Sequence, residues 1–168
     1  MGAILSLMSI QDHSSVFDLD RFLWAQEPIY ATALAELRQG NKQSHWMWFI
    51  FPQLAGLGHS STARLYAIAC MEEAAEYLAH PVLGQRLIEC AEAVLSVDGK
   101  SIHDILHSPD DLKFKSSMTL FSRAGGASRV FEQALEKYCA GESDELTLAL
   151  LREIGGDQGT IVTADISA

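Results

Sequence analysis

Apolar residues recur along most of the chain at three- and four-residue spacing, the period of a helix with one buried face. The clearest case is Leu83, Leu87, Cys90 and Val94, which lie at offsets of 0, 4, 7 and 11. Runs of period two, typical of strands, are missing except at residues 161–163. The pattern therefore predicts an all-α fold, a single irregular bundle of about eight short helices.

Helix-terminating and helix-initiating residues divide this pattern into segments. An acidic first turn predicts that the first helix begins near Asp18 or Asp20. Gly40 is predicted to end the second helix, and Ser60 or Ser61 to cap a later one. Two further helices are predicted to begin with proline at their first position, Pro81 and Pro109, the latter after a capping Ser108.

The length and the end compositions predict one domain with loose termini. A chain of 168 residues buries about 70% of its unfolded surface, enough for a core without disulfides. Small and polar residues dominate the C-terminal end, and the N-terminal end has no helical pattern. We therefore expect a flexible lead-in at 1–16, a single helical domain at 17–155 and a flexible tail at 156–168.

Composition excludes several classes of partner. Twenty-two acidic and 12 basic residues leave a net charge of -10, which opposes binding to nucleic acid and to anionic lipid. No apolar run approaches the ~20 residues that a membrane span requires. The three cysteines are far apart, with no CxxC or other zinc-ligand spacing, and indicate free thiols in a reducing compartment. We expect a cytoplasmic protein that binds neither nucleic acid nor membranes.

The aromatic segment, residues 42–54, is the first candidate site. It holds two of the three tryptophans, Trp46 and Trp48, and large rings of this kind favour burial. Polar residues stand at both ends of the segment. If it folds back, cations and amides could converge on an anion, with a tryptophan as a stacking wall. The alternative is a plain core segment; the candidate ligand-binding residues are Arg38, Lys42, Ser44, His45, Trp46, Trp48 and Gln53.

Two other clusters are candidates. His103 and His107 have the i, i+4 spacing of a helical metal pair, but no third ligand follows and surface histidines are the alternative. Ser116 and Ser117 put hydroxyls in the middle of a predicted helix, where they are unusual, and Lys113 lies four residues before Ser117 on the same face. These three are predicted to line a polar cleft or to satisfy buried groups of the aromatic segment. No nucleotide or other cofactor motif is present, so no cofactor and no metal are expected.

Four stretches of the chain resemble a bacterial family catalogued as domain of unknown function 1810. They are residues 37–58 (LRQGNKQSHWMWFIFPQLAGLG), 77–84 (YLAHPVLG), 109–113 (PDDLK) and 116–121 (SSMTLF). The resemblance spans roughly residues 18–151 and implies a mainly helical single domain without an established activity. Members are sometimes named calpastatin, but calpastatin inhibitors are disordered and proline-rich, whereas this chain has four prolines and 48% hydrophobic residues.

Three functional hypotheses follow, and whether the protein is an enzyme stays open. The first is binding of a small anionic or nucleotide-like ligand near the aromatic segment. The second is a protein-interaction or dimerisation module without catalysis, its partner unknown. The third is a hydrolase or transferase with His45 as acid–base group, which requires a carboxylate or nucleophile beside that imidazole. The first hypothesis depends on whether the aromatic segment and the polar cluster at residues 113–119 face each other across a cleft.

Overall fold

A computed structural model describes residues 15–156, and these contain ten helices and no strand. The all-α prediction is confirmed, with ten helices in place of about eight. The boundaries expected at residues 16 and 156 stay predictions, since 1–14 and 157–168 lie outside the described residues. The helices are α1 (Asp20–Gln26), α2 (Tyr30–Gln39), α3 (Met47–Ile50), α4 (Ser61–Leu65), α5 (Met71–Ala79), α6 (Leu83–Leu95), α7 (Ile102–Leu106), α8 (Asp110–Ser122), α9 (Val130–Cys139) and α10 (Glu145–Gly156).

Three of the predicted helix ends are confirmed. Helix α1 begins at Asp20, which places a carboxylate in its first turn. Gly40 follows α2 with a φ of 69°, a left-handed conformation that glycine adopts without steric cost. The hydroxyl of Ser60 accepts a hydrogen bond of 3.1 Å from the backbone N–H of Ala63 and so caps α4.

The two proline starts are wrong by one or two residues. Helix α6 begins at Leu83, because the Nδ1 atom of His80 accepts the backbone N–H groups of Val82 at 3.1 Å and Leu83 at 3.2 Å. Pro81, predicted as the first helical residue, therefore lies two residues before the helix. Helix α8 begins at Asp110, with Pro109 as its N-terminal flanking residue and no side-chain cap. Ser108 therefore does not cap it.

Helix α8 runs through the centre of the molecule and packs against α5, α7, α9 and α10. Its side chains from 116 to 121 are all buried, so two or more faces of the helix lie in the core. The ring of Phe114 meets Phe51 of the aromatic segment edge to face at 5.1 Å between centroids. The hydroxyl of Thr119 donates to the carbonyl of Lys115 at 2.8 Å, which satisfies it inside the helix.

The two histidines considered as a metal pair do not share a helix face. Helix α7 ends at Leu106, and His107 turns out of it with a φ of 65°. His103 Nδ1 lies 3.0 Å from a carboxylate oxygen of Asp111, and His107 Nε2 lies 3.1 Å from the amide oxygen of Asn41. Within residues 15–156 no cluster of three or more His, Cys, Asp or Glu could hold a metal ion. In that same part of the chain, no helix is long and apolar enough to span a membrane.

Candidate functional site

Backbone hydrogen bonds fix the end of the aromatic segment against the stretch that follows α4. The N–H of Ile68 donates to the carbonyl of Gln53, and the N–H of Ala55 donates to the carbonyl of Ile68, both at 2.8 Å. These bonds form one isolated parallel bridge between Leu54 and Ile68. They hold the side chain of Gln53 half-exposed at the surface, beside the glycine-containing loop at 56–58.

A buried carboxylate in α2 binds the start of the aromatic segment. Glu36 accepts hydrogen bonds from the indole N–H of Trp46 at 2.7 Å, the hydroxyl of Ser44 at 2.9 Å and the backbone N–H of Gln43 at 3.0 Å. Burial raises the pKa of Glu36, but these hydrogen bonds outweigh it and hold the pKa below its usual value. Ser44 and Trp46 are thus already engaged within the fold, and Trp46 is fully buried.

Lys42 is buried as well, and Asp110 connects it to α8. Its Nζ atom lies 3.0 Å from Asp110 Oδ2, 4.9 Å from the ring centroid of Trp46, and donates to the carbonyl of Ser44. The other carboxylate oxygen of Asp110 lies 3.3 Å from the Nζ atom of Lys113. One carboxylate therefore pairs with two lysines, one in each predicted cluster.

The two predicted clusters do face each other across a cleft of about 510 Å³. Trp48 and Gln53 line it from the aromatic segment, and Lys113 and Ser116 line it from α8. A smaller recess of about 110 Å³ shares Trp48 and Gln53 and extends toward α4. Other residues around the main cleft include Leu57, His59, Ser60, Leu112, Asp144 and Leu146.

Some polar side chains in the cleft already have partners within the fold, and others do not. The Nζ atom of Lys113 lies 4.9 Å from the ring centroid of Trp48, a cation–π contact. The hydroxyl of Ser116 donates to the carbonyl of Leu112 at 3.2 Å, and Asp144 accepts the hydroxyl of Thr147 at 2.6 Å. No residue within 15–156 forms a hydrogen bond with the side-chain amide of Gln53, so that amide can donate and accept toward a ligand.

Other predicted residues lie away from the cleft lining. Arg38 is exposed and pairs with Glu89 at 3.3 Å on α6. His45 is exposed and does not line the cleft. Ser117 is fully buried. That any of the ten candidate residues binds a ligand stays a prediction, and Trp48, Gln53, Lys113 and Ser116 are the four that the fold brings together.

Sequence reasoning missed several residues of this site. Arg64 on α4 lines the recess, and its guanidinium makes no ion pair or hydrogen bond with residues 15–156. Asp144 and Leu146 reach the cleft from the start of α10, about 30 residues beyond Lys113. Nothing local to Arg64 or Asp144 distinguishes them from ordinary surface charges, so only the fold identifies them.

The sequence model of a family described as "Protein of unknown function (DUF1810)" matches residues 16–151. The chain belongs to the DUF1810 family. A crystal structure of the conserved hypothetical protein Rv1873 from Mycobacterium tuberculosis is similar to it, with 52% identity and a TM-score of 0.80. The match covers 82% of this chain and 98% of the mycobacterial one. No curated protein matches the sequence.

The family resemblance read from the sequence is therefore confirmed, and so is the helical fold that it implies. Residues 37–58 are the longest stretch that carried the DUF1810 resemblance. They contain the residues that donate hydrogen bonds to Glu36, and they contribute Trp48 and Gln53 to the cleft wall. The stretches at 109–113 and 116–121 supply Asp110, Lys113 and Ser116. Three of the four stretches that carry the resemblance thus meet at the cleft, whereas residues 77–84 do not line it.

Proposed function

We propose that this DUF1810 protein binds a small anionic ligand with a planar, nucleotide-like ring in the Trp48 cleft. The observation that carries the proposal is the convergence of Trp48 and Gln53 with Lys113 and Ser116 around one opening. A volume of about 510 Å³ is within the range of small-molecule sites, roughly 300–1,000 Å³. Such sites combine apolar walls with a few polar groups that orient the ligand.

Each of the cleft residues has a distinct role in this proposal. The half-buried indole of Trp48 offers a face on which a ring stacks. Lys113 lies over that indole and supplies a positive charge for the anionic group. Gln53 forms hydrogen bonds with the polar edge of the ring through its amide, and Arg64 in the recess adds a second cation.

Charge also limits how the ligand is held. The protein carries a net charge of -10, so an anion is repelled at long range and must be bound by local contacts. Asp110 already pairs with Lys113, and Asp144 lines the cleft, so the local positive charge is modest. Stacking on Trp48 therefore has to contribute a large part of the affinity, which favours a ligand with a ring over inorganic phosphate alone.

A thermal-shift screen with nucleoside monophosphates, nucleoside diphosphates and sugar phosphates tests the proposal. A ligand at a hundredfold excess over its Kd stabilises the fold by about 2.7 kcal/mol. We expect Trp48→Leu and Lys113→Gln to abolish the rise in melting temperature. Trp24→Leu and Lys115→Gln are matched controls, since Trp24 is 74% exposed and neither residue lines the cleft.

Two results contradict ligand binding at this place. One is that no compound in the screen raises the melting temperature of the wild-type protein. The other is that a compound stabilises Trp48→Leu and Lys113→Gln as much as it stabilises the two controls. Arg64→Gln separates the recess from the main cleft, because it weakens only ligands whose anionic group reaches the recess.

Protein interaction is a second candidate function, favoured by two exposed leucines at the rim of the same cleft. Leu112 is 65% and Leu146 57% exposed, more than most leucines in folded proteins. An apolar peptide segment would cover both side chains. Sedimentation at increasing concentration tests self-association, and Leu112→Ser with Leu146→Ser is expected to abolish any dimer that forms.

The acid–base hypothesis for His45 receives no support from its surroundings. The imidazole is exposed, and among residues 15–156 no side chain forms a hydrogen bond with it. A catalytic histidine needs a partner within hydrogen-bond reach, about 2.6–3.2 Å. The hypothesis stays a prediction. An unchanged ligand response in His45→Ala would show that ligand binding at Trp48 does not depend on His45.

A further inference from the structure

A second depression, of about 330 Å³, lies between the start of α5, the end of α8 and α10. Met71, Leu148 and Leu151 form its apolar surface, and Arg123 and Arg152 also line it. None of these five residues lines the Trp48 cleft. The depression is therefore a separate feature of the surface.

The apolar surface comes mainly from one side of α10. Leu148, Leu151 and Arg152 follow at i, i+3 and i+4, so they share a helix face. Only Thr147 is buried among the twelve residues of this helix. Both leucines stay half-exposed although α10 packs against α8. This face of α10 is thus apolar and only partly covered by the fold.

The two arginines are not neutralised within the described part of the chain. Neither guanidinium of Arg123 and Arg152 makes an ion pair or a hydrogen bond with residues 15–156. Most other basic side chains there do, as Arg21 does with Glu73 at 2.8 Å and Lys137 does with Asp98 at 3.3 Å. In a protein with 22 acidic residues, two cations beside one apolar depression without a carboxylate form a local site for an anion.

We propose that this depression binds a small amphiphile in which a carboxylate is attached to a short apolar chain. The chain lies on Met71, Leu148 and Leu151, and the carboxylate pairs with Arg123 and Arg152. Guanidinium groups match the planar geometry of a carboxylate and form paired hydrogen bonds with it. The volume, about 330 Å³, is at the lower end of small-molecule sites and suits a short chain.

Octanoate is the probe, titrated into the full-length protein and followed by amide chemical shifts in an NMR spectrum. We expect saturable shifts at 148–152 and around Met71 and Arg123, but not at Trp48. Arg123→Gln combined with Arg152→Gln is expected to raise the Kd for octanoate at least about tenfold, because charged hydrogen bonds are lost. Arg129→Gln is the matched control: this exposed arginine also makes no ion pair within 15–156 but does not line the depression.

Octan-1-ol separates the role of the carboxylate from that of the chain, since it keeps the chain and lacks the charge. The proposal predicts that it binds more weakly than octanoate to the wild type and equally to the wild type and the double variant. The inference is overturned if octanoate gives no saturable shifts at α10, if octan-1-ol binds as tightly, or if Arg129→Gln weakens octanoate as much as the double variant. All three arginines are exposed, so these variants keep the fold, which circular dichroism verifies.

Discussion

The indole N–H of Trp46 donates a 2.7 Å hydrogen bond to the carboxylate of Glu36, and both side chains are buried. This contact joins α2 to the aromatic segment ten residues later. It explains why a segment so rich in rings has polar residues at its start. Those residues complete the hydrogen bonds of a buried carboxylate, and an unpaired carboxylate there would be costly.

Glu36 is expected to make stability depend on pH. Its folded-state pKa lies below its usual value of 4.5, because hydrogen bonds outweigh the opposing effect of burial. The ionised carboxylate thus stabilises the fold above that usual value, and the contribution is lost as pH falls through the lower folded-state pKa. Glu36→Gln should reduce the free energy of unfolding at pH 7 by about 1–3 kcal/mol. In urea unfolding between pH 7 and pH 3, the difference in the free energy of unfolding between Glu36→Gln and the wild type should become smaller toward pH 3.

Glu92→Gln is the control for this experiment, because Glu92 is exposed on α6 and forms no side-chain hydrogen bond within residues 15–156. Its unfolding free energy should stay within about 0.5 kcal/mol of the wild type. A constant difference between Glu36→Gln and the wild type from pH 7 to pH 3 would contradict the role given to the ionised carboxylate.

Gly84 should not tolerate a side chain. A Cβ atom at this position would lie 1.9 Å from the carbonyl oxygen of Leu78, and backbone cannot move aside cheaply. Gly84→Ala is expected to lower the free energy of unfolding by about 1–3 kcal/mol or more. Gly155→Ala is the control, because no heavy atom lies within 4 Å of its Cβ position, and helix propensity predicts no loss. Equal urea midpoints for the two variants would show that α5 and α6 are not this close.

Replacing Ser116 and Ser117 by alanine should affect two different properties, ligand binding and stability. The hydroxyl of Ser117 is buried and has no hydrogen-bond partner among the described residues, so Ser117→Ala should leave stability unchanged or raise it by up to about 1 kcal/mol. Ser116 lines the cleft and donates to Leu112. Ser116→Ala is therefore expected to reduce ligand stabilisation in the thermal-shift screen. A loss of ligand response in Ser117→Ala with none in Ser116→Ala would reverse this assignment.

Cys90 should resist alkylation in the folded protein. Burial raises its pKa to about 12, and its side chain is only 1% exposed, so almost no accessible thiolate exists at pH 8. Cys70 and Cys139 are half-buried, and burial raises the pKa of each to a lesser extent. Iodoacetamide should label both before Cys90, as read from peptide masses at timed intervals. Labelling of Cys90 at their rate without denaturant would mean that α6 opens locally.

The helices could be predicted because their signals are local. The spacing of apolar residues on α6 and the glycine after α2 act over three or four residues, so the sequence pattern contains them. The start of α6 was misplaced because the imidazole of His80 accepts the N–H groups of Val82 and Leu83, and histidine is not among the residues that usually signal a helix start. Residues 42–54 and 113–117 could be identified as site candidates because polar residues inside apolar stretches are unusual.

Which of those polar residues line the cleft depended on their hydrogen-bond and ion-pair partners, which lie between eight and 68 residues away along the chain. Ser44 and Trp46 donate hydrogen bonds to Glu36, and Lys42 forms an ion pair with Asp110, 68 residues away. Side-chain periodicity determines that a residue is buried, but not whether its hydrogen bonds are already satisfied. The sequence by itself thus determined a helical protein of the DUF1810 family with two polar clusters. The tertiary structure decided that Trp48, Gln53, Lys113 and Ser116 share a cleft, because only long-range packing brings those atoms together.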